Sequence, residues 1–506
     1  MSIQPVTSLS IPVKFSRAQQ QIGLLLLLIT LAGAALRFYK LDYQDFWHDE
    51  ASTADHILSG RLDVMLAKVF ADGQPPLAFF FNLAAGNLLG ESEWALRLPS
   101  AIAGTLCIPA MYLVARRWFG YREALLGAAL LAVLRFPIHY SQEARPYAWL
   151  LLFSLLAVYY WLELLAALRA GTPMPRRAAA LYFLFGLLAA YTHYFGFLSL
   201  LWQGALLLAA APRRASATIG LMLAFIPGYF LWLSQLVRQF TGGRAHIHIP
   251  PPNTGTLKFQ YRILFNDAWY RTSDWLPQSV AGVCILLALL WCMRRAIPLL
   301  RKRDFAAIFW LPEVTLLIAW GFPIAFTYFF SLTIKPLYVA RYMMAVLIPA
   351  VLLVTRGVTQ SPWRKALPAL AIALLAFFTY DLLARVDYYN QPSKAEAEHV
   401  MRAVLAAWQA EPETLRLACT SDHIAAYYSR KFAEPQLVQA HACSMTELSG
   451  IDSLLGVRPY RQIALAVSVS TVEPALLAEF LERYCLLEHN IYYWSDFYLY
   501  ETQPCP

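Results

Sequence analysis

Two adjacent carboxylates, Asp49 and Glu50, introduce the most polar stretch of an otherwise apolar sequence. A carboxylate can remove a proton from an incoming hydroxyl group. Residues 51–70 show one apolar and one polar side when they are placed on a helix, so both acids are expected at a helix N-terminus, where negative charge is favoured. The pattern predicts a general base or a ligand-binding group, or else an ordinary helix cap.

Further ionisable side chains occur in short turns between apolar segments. Glu143, Arg145 and Tyr147 belong to the run SQEARPY, while Lys335 and Arg341 belong to KPLYVAR. Charges between two membrane spans are costly unless they pair or line a cavity. Glu143 can pair with Arg145, and an arginine at the end of a span can snorkel to the surface. The same cations can also hold an anionic ligand.

Two more residues are expected on the same face, Arg97 at the end of the polar stretch and His193 in the run YTHYFG. For the lone histidine a structural role is the simpler interpretation. Together these residues place paired carboxylates and several cations at the depth of lipid headgroups. The set suits transfer from a phosphate leaving group, in which a carboxylate deprotonates the acceptor and Arg or Lys stabilises the growing phosphate charge.

The elements that must position these groups are membrane spans. The chain has 506 residues, of which 59% are hydrophobic and 14% charged, which differs from the composition of soluble globular proteins. Its net charge of +9 lies in short basic clusters between apolar segments, and the positive-inside rule places these clusters in the cytoplasm. Membrane topology therefore explains the charge, and no nucleic acid partner is expected.

Residues 39–98 hold nine acidic and four basic side chains and are expected outside, as the first external loop. Within this loop the apolar segment 76–89 is too short to span a bilayer. If it did span, every later basic cluster would change sides, so it is predicted to be an interfacial helix. The N-terminus is then expected in the cytoplasm and the C-terminus outside.

The predicted fold class is mainly α: a polytopic membrane protein with about eleven transmembrane helices and a small C-terminal soluble α/β domain. The membrane domain is expected over residues 1–384 and the extracytoplasmic domain over residues 385–506. The predicted spans are residues 17–37, 99–115, 123–138, 146–168, 178–192, 196–211, 217–236, 277–293, 311–330, 343–355 and 366–384. The C-terminal part is predicted to contain strands at 415–420, 462–470 and 492–501 and a helix at 475–484.

Four of the seven cysteines lie in the C-terminal domain: Cys419, Cys443, Cys485 and Cys505. Disulfides form outside the cytoplasm, and three pairings of four cysteines exist. Sequence order favours Cys419 with Cys443 and Cys485 with Cys505. Free buried thiols are the alternative.

No nucleotide-binding motif of the GxxxxGK[ST] or GxGxxG type is present, so a sugar donor is expected to arrive through the membrane. His246 and His248 have the spacing of a two-histidine metal clip on a strand, but the three prolines at 250–252 favour an ordinary loop. We expect no cofactor and no metal.

Several short motifs, taken in order, resemble the GT-C membrane glycosyltransferases, in particular the bacterial branch of protein O-mannosyltransferase-like and lipid A aminoarabinose transferase-like enzymes. The motifs are RFYKLDYQDFWHDEA at 37–51, QPPL at 74–77, LRLPS at 96–100, RWFG at 117–120, SQEARPY at 141–147 and ARY at 340–342. The resemblance covers roughly residues 20–355 and implies an inverting transfer from a polyprenyl-phosphate sugar.

Carried over residue by residue, this resemblance implies that Asp49 is the general base and that Glu50 shapes the donor or acceptor site. It also implies that Arg97 and Arg145 contact the phosphate or the sugar. Gln74 stands where a common form of the family has a histidine before the paired prolines, so no role of that histidine is transferred. The acids are adjacent, unlike the separated Asp-X-Asp of metal-dependent oligosaccharyltransferases, which favours a metal-free site.

The expected partners are a polyprenyl-phosphate sugar donor, membrane lipid and an acceptor that the sequence leaves open between protein, lipid A and glycan. The family branch implies the bacterial inner membrane. A flippase for a lipid-linked anion needs similar cations but is expected to show inverted repeats and broken helices near the midplane. A polysaccharide polymerase or ligase is the other alternative, which the early acidic loop disfavours.

Overall fold

The computed structural model describes residues 16–72, 74–241, 249–266, 275–360, 365–441, 449–456, 459–469, 472, 474–503 and 505. His246, His248 and Cys443, on which the metal clip and one predicted disulfide depend, lie outside the described residues. Helices up to the end of the last span are α1 (Arg17–Phe38), α2 (His48–Ile57), α3 (Leu62–Asp72), α4 (Leu77–Leu89), α5 (Glu93–Trp118), α6 (Tyr121–Val133), α7 (Arg135–Ser141), α8 (Tyr147–Arg169), α9 (Arg176–Thr192), α10 (Gly196–Ala210), α11 (Ala215–Leu223), α12 (Phe225–Gly228), α13 (Phe230–Thr241), α14 (Thr254–Leu264), α15 (Leu276–Arg301), α16 (Phe305–Phe309), α17 (Pro312–Thr333), α18 (Leu347–Thr359) and α19 (Leu367–Tyr380). Three short helical segments of other types cover Pro212–Arg214, Ala340–Val346 and Asp381–Arg385.

The membrane part is helical, as predicted. Among the described residues, seven helices are long and apolar enough to cross a membrane, and up to nine spans result if each of two bent helix pairs counts as one. The bends are 58° between α6 and α7 and 111° between α10 and Pro212–Gly228. Each predicted segment overlaps helical residues, but the count of eleven stays a prediction. Residues 217–236, predicted as one span, are divided among α11, α12 and α13. Pro227 lies in this region and favours the division, because proline removes a helical hydrogen bond.

The predicted first external loop, residues 39–98, contains three short helices and the start of α5. The single amphipathic helix predicted over residues 51–70 is wrong, since α2 ends at Ile57 and α3 begins at Leu62. Gly60, between them, has a φ of 64°, a left-handed conformation that glycine adopts without steric cost. Helix α4 has 13 residues, which is shorter than a span, in agreement with the prediction of a non-spanning helix.

Arg37, the fully buried last-turn arginine of α1, holds the break between α6 and α7. Its guanidinium donates to the carbonyl oxygens of Leu131 and Ala132, at 2.9 and 3.1 Å. The last carbonyls of a helix have no partner within that helix, and a membrane supplies none. Arg37 therefore stabilises the bend after α6, which sets the position of α7 and of the turn at residues 142–146.

The described residues of the C-terminal part form four helices and five strands: α20 (Ala397–Ala410), β1 (Thr414–Cys419), α21 (Asp422–Lys431), β2 (Ala440–His441), α22 (Ser449–Leu455), β3 (Gln462–Ser468), α23 (Pro474–Arg483), β4 (Cys485–Tyr492) and β5 (Ser495–Glu501). The strand order is β2-β1-β3-β5-β4. Strand β1 runs parallel to β2 and β3, and β5 runs antiparallel to β3 and β4. The predicted strands in β1 and β3 and the helix in α23 are confirmed. Strand β4 was not predicted, and the predicted strand 492–501 includes the last residue of β4 and the turn before β5.

The disulfide between Cys485 and Cys505 confirms one predicted pairing. It joins the start of β4 to the end of the chain. The pairing of Cys419 with Cys443 stays a prediction.

The sheet alternates its side chains between two hydrophobic cores. Ile463 and Leu465 face the side covered by α22 and α23, whereas Ala464 and Ala466 face α20 and α21. The core between the sheet and helices α20 and α21 continues into residues 39–98 and includes Phe46, Ala51, Ala54 and Ile57. The division at residue 384 stays a prediction, but the loop and the C-terminal sheet share buried apolar surface.

Candidate active site

Asp49 lies in the first turn of α2, as predicted, and its carboxylate faces two arginines. Its Oδ2 atom is 3.3 Å from Arg341 Nη2 and 3.9 Å from Arg145 Nη2. About a fifth of its side chain stays exposed (18%), so a substrate can approach it. The start of the helix also favours a negative charge there.

Arg145 is held against the first turns of α2. One terminal nitrogen donates to the backbone oxygen of Asp49 and to Thr53 Oγ1, both at 3.2 Å. The other donates to Gln74 Oε1 at 3.3 Å. Gln74, the residue that departs from the common family pattern, therefore orients the guanidinium.

Arg341, in the short helical segment Ala340–Val346, contacts the same carboxylate. Its Nε donates to the Tyr147 hydroxyl at 2.9 Å, and its guanidinium lies 5.3 Å from the centre of the Trp47 ring. A guanidinium over an aromatic face is stabilised electrostatically and kept in one orientation. The two arginines and Asp49 leave one positive charge in excess, which suits a second anion.

A small cavity of about 20 Å³ adjoins Tyr342, the chain neighbour of Arg341. Its lining is mainly apolar and aromatic and includes Phe195, Trp202, Trp118 and Ser199. The walls therefore have the character of a site for a hydrocarbon chain, but the space between them is about that of one water molecule.

His193 packs against two tyrosines, with its ring centre 4.7 Å from that of Tyr342 and 6.0 Å from that of Tyr147. Burial, and then the charges of Arg145 and Arg341, lower the pKa of His193 to about 3, so the ring is neutral. Its Nδ1 accepts the backbone N–H of Phe195 at 3.2 Å. These contacts favour a packing role for the histidine.

Glu50, the second acid, is fully buried and occupied by protein groups. Arg97 donates to it through Nε at 2.7 Å and Nη2 at 2.9 Å. Lys394 Nζ donates to Oε2 at 2.7 Å, and the backbone N–H of Ala144 donates to Oε1 at 2.9 Å. Burial alone would raise the pKa of Glu50, but the two cations outweigh it and lower the pKa to about 2.

Arg97 also has no open face. Its terminal nitrogens donate to the carbonyl oxygens of Leu41, Gln44 and Asp45 at 2.7 to 3.1 Å. The buried pair of Arg97 and Glu50 therefore fixes the start of the first loop. This geometry favours a positioning role over the direct phosphate contact that the resemblance implies for Arg97.

Glu143 lies on the inner side of the same cluster. Its Oε1 is 3.1 Å from His139 Nε2 and 3.9 Å from Lys394 Nζ. The expected pair of Glu143 with Arg145 is not what the structure shows, because the backbone of the turn sends their side chains to different partners. Glu143 joins the Glu50 cluster, while Arg145 joins Asp49.

Eight predicted site residues thus fall into two adjacent sets of contacts. Glu50, Arg97 and Glu143 form one set with Lys394, and Asp49, Arg145, Tyr147, His193 and Arg341 form the other. Lys335, partly exposed beyond the end of α17, takes part in none of the contacts described above. Sequence reasoning missed Lys394. A lone lysine just after the last span, on the side where basic residues are rare, was the available signal.

The residues around Asp49 suit an anion better than a metal ion. Its neighbours are guanidinium groups, whereas divalent metals prefer further carboxylate, imidazole or thiolate ligands. Within the described part of the chain, no three His, Cys, Asp or Glu side chains come close enough to hold a metal ion.

Comparisons with known proteins agree with this architecture. Residues 73–237 match the family described as dolichyl-phosphate-mannose-protein mannosyltransferase. The putative mannosyltransferase YkcB of Bacillus subtilis is 25% identical over 166 residues, which are 31% of this chain and 22% of that protein. The chain therefore matches only about a fifth of the length of this relative.

Two solved structures are similar over most of the chain. ArnT from Cupriavidus metallidurans, bound to undecaprenyl phosphate, aligns with a TM-score of 0.53 and 15% identity, over 96% of this chain and 98% of that one. The archaeal oligosaccharyltransferase AglB from Archaeoglobus fulgidus, in complex with an inhibitory peptide and a dolichol-phosphate, aligns with a TM-score of 0.53 and 12% identity, over 89% and 70%. At these identities the likeness shows a shared fold.

Proposed function

We propose that this chain, a membrane glycosyltransferase of the GT-C superfamily, transfers a glycosyl residue from a polyprenyl-phosphate donor to an acceptor hydroxyl group with inversion at the transferred carbon. The observation that carries the proposal is the placement of one carboxylate, Asp49, between Arg145 and Arg341 beside an apolar cavity.

The two arginines form the proposed phosphate site. A phosphodiester carries about one negative charge, and its phosphate gains a second when the bond to the sugar breaks. Arg145 and Arg341 are aimed at one point by their contacts with Thr53 and Tyr147, so their charges need no rearrangement during the reaction. Cations that match the product phosphate stabilise the transition state more than the substrate.

Asp49 is the proposed general base. The acceptor oxygen attacks the anomeric carbon as its proton passes to the Asp49 carboxylate, and the bond from that carbon to the phosphate oxygen breaks. One displacement of this kind inverts the configuration. In the free protein Asp49 pairs with the arginines, so an arriving phosphate competes for them and releases the carboxylate for the acceptor.

The apolar walls formed by Phe195, Trp202 and Tyr342 would hold the first isoprene units of the donor after side-chain movements that widen the present small cavity. Apolar and aromatic walls favour such a chain over water. The lipid phosphates bound to ArnT and AglB, which share the fold, support this assignment.

The distribution of charge supports an extracytoplasmic site. Helix α5 begins near the site with Glu93 and ends with Arg116 and Arg117 in its last turn, so the basic end points away from Asp49. By the positive-inside rule the site and residues 385–506 face outwards, and the N-terminus lies in the cytoplasm. The membrane would be a bacterial inner membrane. The acceptor would be a protein, lipid A or another glycan that reaches this face.

The test is sugar transfer in proteoliposomes that contain the purified protein and a radiolabelled sugar on a short-chain polyprenyl phosphate. We expect the radiolabelled sugar to appear on acceptor molecules of an added extract that contains hydroxyl acceptors, with inverted configuration at the anomeric carbon. We expect no transfer from nucleotide sugars. Transfer from a nucleotide sugar without lipid would contradict the proposal. Movement of the labelled lipid between leaflets without any transfer would favour the flippase alternative.

A further inference from the structure

The segment between the last span and the C-terminal domain, residues 386–396, lies across the external ends of the membrane helices. We call it the connecting segment. Several hydrogen bonds join it to the first loop: Lys40 Nζ donates to Asn390 Oδ1 at 2.7 Å, Gln44 Nε2 donates to the Gln391 oxygen at 3.0 Å, and Ser393 N donates to Gln44 Oε1 at 2.9 Å. The Tyr388 hydroxyl donates to Gln142 Oε1, in the turn after α7, at 3.0 Å. These contacts bring Lys394 to the site.

Lys394 extends from this segment into the protein, where only 4% of its side chain is exposed. Its ammonium donates to Glu50 Oε2 at 2.7 Å and to the carbonyl oxygen of Gln142 at 3.0 Å, and it lies 3.9 Å from Glu143 Oε1. A buried ammonium is costly unless it is paired and its donors are satisfied. Here three acceptors from two separate segments surround it.

Those two segments are the ones that carry the proposed base and the proposed phosphate ligand. Asp49 is the chain neighbour of Glu50, and Arg145 is the chain neighbour of Ala144, whose N–H donates to Glu50. The ammonium of Lys394 thus bridges the first turn of α2 and the turn after α7. Any shift of that bridge changes the distance between the Asp49 carboxylate and the Arg145 guanidinium.

We propose that Lys394 is a positioning residue, which sets the spacing between Asp49 and Arg145 through its contacts with Glu50 and the Gln142 carbonyl. The inference rests on the proposed function. It makes the connecting segment a part of the active site, so that residues 1–384 alone would lack a group needed for fast transfer.

The charged groups around Glu50 predict how the loss of Lys394 would act. Arg97 faces Glu50 from α5, Lys394 faces it from the connecting segment, and Glu143 with His139 lies beyond the ammonium. Without the ammonium Glu50 keeps Arg97 as its cationic partner, and Glu143 keeps its contact with His139. The pKa of Glu50 then rises, and its protonation at acid pH releases Ala144 and the turn that carries Arg145.

The experiment compares Lys394→Met and Lys394→Arg with the matched control Lys68→Met, which removes a lysine–carboxylate pair with Asp55 (3.0 Å) in the same loop without touching Glu50 or the connecting segment. For Lys394→Met we expect kcat at pH 7.5 to fall about 10- to 100-fold, because a misplacement of about 1 Å costs that much. Polyprenyl phosphate binding at this pH stays within about 3-fold of wild type. As the pH falls to 6, binding weakens in Lys394→Met and not in wild type.

Lys394→Arg should recover a large part of kcat, and Lys68→Met should behave as wild type. If Lys394→Met does not fold, Lys394→Gln replaces it, since the amide keeps a donor and removes only the charge, and the same losses are expected. A folded variant without the charge that keeps wild-type kcat and pH-independent binding would overturn the inference. If wild type transfers no sugar but binds polyprenyl phosphate, the binding comparison still decides.

Absence of polyprenyl phosphate binding by wild type would overturn the proposed function and this inference together. A normal wild type with an unaffected Lys394→Met would overturn the inference alone. The two failures are therefore distinguishable.

Discussion

The ammonium of Lys394 lies 2.7 Å from the carboxylate of Glu50, a residue 344 positions earlier in the chain. Both groups are buried, and Arg97 completes the cluster. The acid next to the proposed base is therefore an anchor, whereas Asp49 keeps an exposed edge. The two adjacent carboxylates differ because protein groups enclose Glu50, whereas 18% of the Asp49 side chain is exposed.

The first prediction concerns stability. Glu50→Gln leaves Arg97 and Lys394 buried with one neutral partner, so we expect the unfolding free energy to fall by about 3–5 kcal/mol. Thermal unfolding in detergent measures this change. The control is Asp63→Asn, which breaks an exposed pair with Arg61 on the same loop and should have almost no effect.

The same carboxylate makes stability depend on pH. Its pKa falls from an ordinary 4.5 to about 2 in the folded protein, so its contribution is present above pH 4.5 and is lost as the pH falls towards 2. Glu50→Gln should lack this part of the acid destabilisation. An unchanged slope in the variant would mean that other groups dominate the acid transition.

The second prediction separates charge from geometry at the phosphate site. Arg341→Lys keeps the charge, but one ammonium cannot contact both Tyr147 and Asp49 from the positions that Nε and Nη2 occupy. We expect donor affinity to fall about 10-fold and kcat to fall on the order of 100-fold. Arg402→Lys, an exposed arginine of the C-terminal domain, is the control, and equal kinetics for both variants would contradict the assignment.

The third prediction tests the apolar cavity. Ser199→Trp should fill part of it and raise KM about 10-fold for polyprenyl donors, while short donors whose sugar phosphate carries no isoprene unit are affected less. Leu201→Trp, two residues later on α10 and 52% exposed, is the matched control. Equal effects of Ser199→Trp on long and short donors would exclude this cavity as the chain site.

The fourth prediction concerns the disulfide of the C-terminal sheet. Cys485→Ser opens a loop with a sequence separation of 20, for which chain entropy predicts a loss of roughly 3 kcal/mol. Reducing agent should lower the unfolding temperature of wild type by more than that of a variant without both cysteines, which keeps the disulfide of Cys419. Insensitivity of wild type to reduction would contradict this contribution.

Sequence patterns predicted the helical membrane part, the non-spanning helix α4 and most of the site, since each depends on local composition or on short motifs. The break between α6 and α7 was not predicted, because the partner that satisfies its carbonyls, Arg37, lies in another helix. Gly60 ended α2 early for a local reason that amphipathic spacing does not record.

The role of Glu50 and the presence of Lys394 needed the fold. Both acids belong to the same residue class and are adjacent in the chain, so burial is what distinguishes them. Lys394 lies in a segment without a motif, and its contact with Glu50 depends on how the connecting segment crosses the loop. Long-range pairs of this kind leave no periodic pattern in one sequence.

The most direct test of the account is the single-turnover rate of sugar transfer by Asp49→Asn, beside Asp55→Asn as control. Asp55 lies on the same helix and pairs with Lys68, away from the arginines. We predict that Asp49→Asn slows transfer by about 100- to 10,000-fold, because the proton acceptor is lost. Polyprenyl phosphate should bind this variant as tightly as wild type or more tightly, because the carboxylate no longer competes for Arg145 and Arg341. Transfer at the wild-type rate by Asp49→Asn would contradict the account and leave Asp49 as a helix cap.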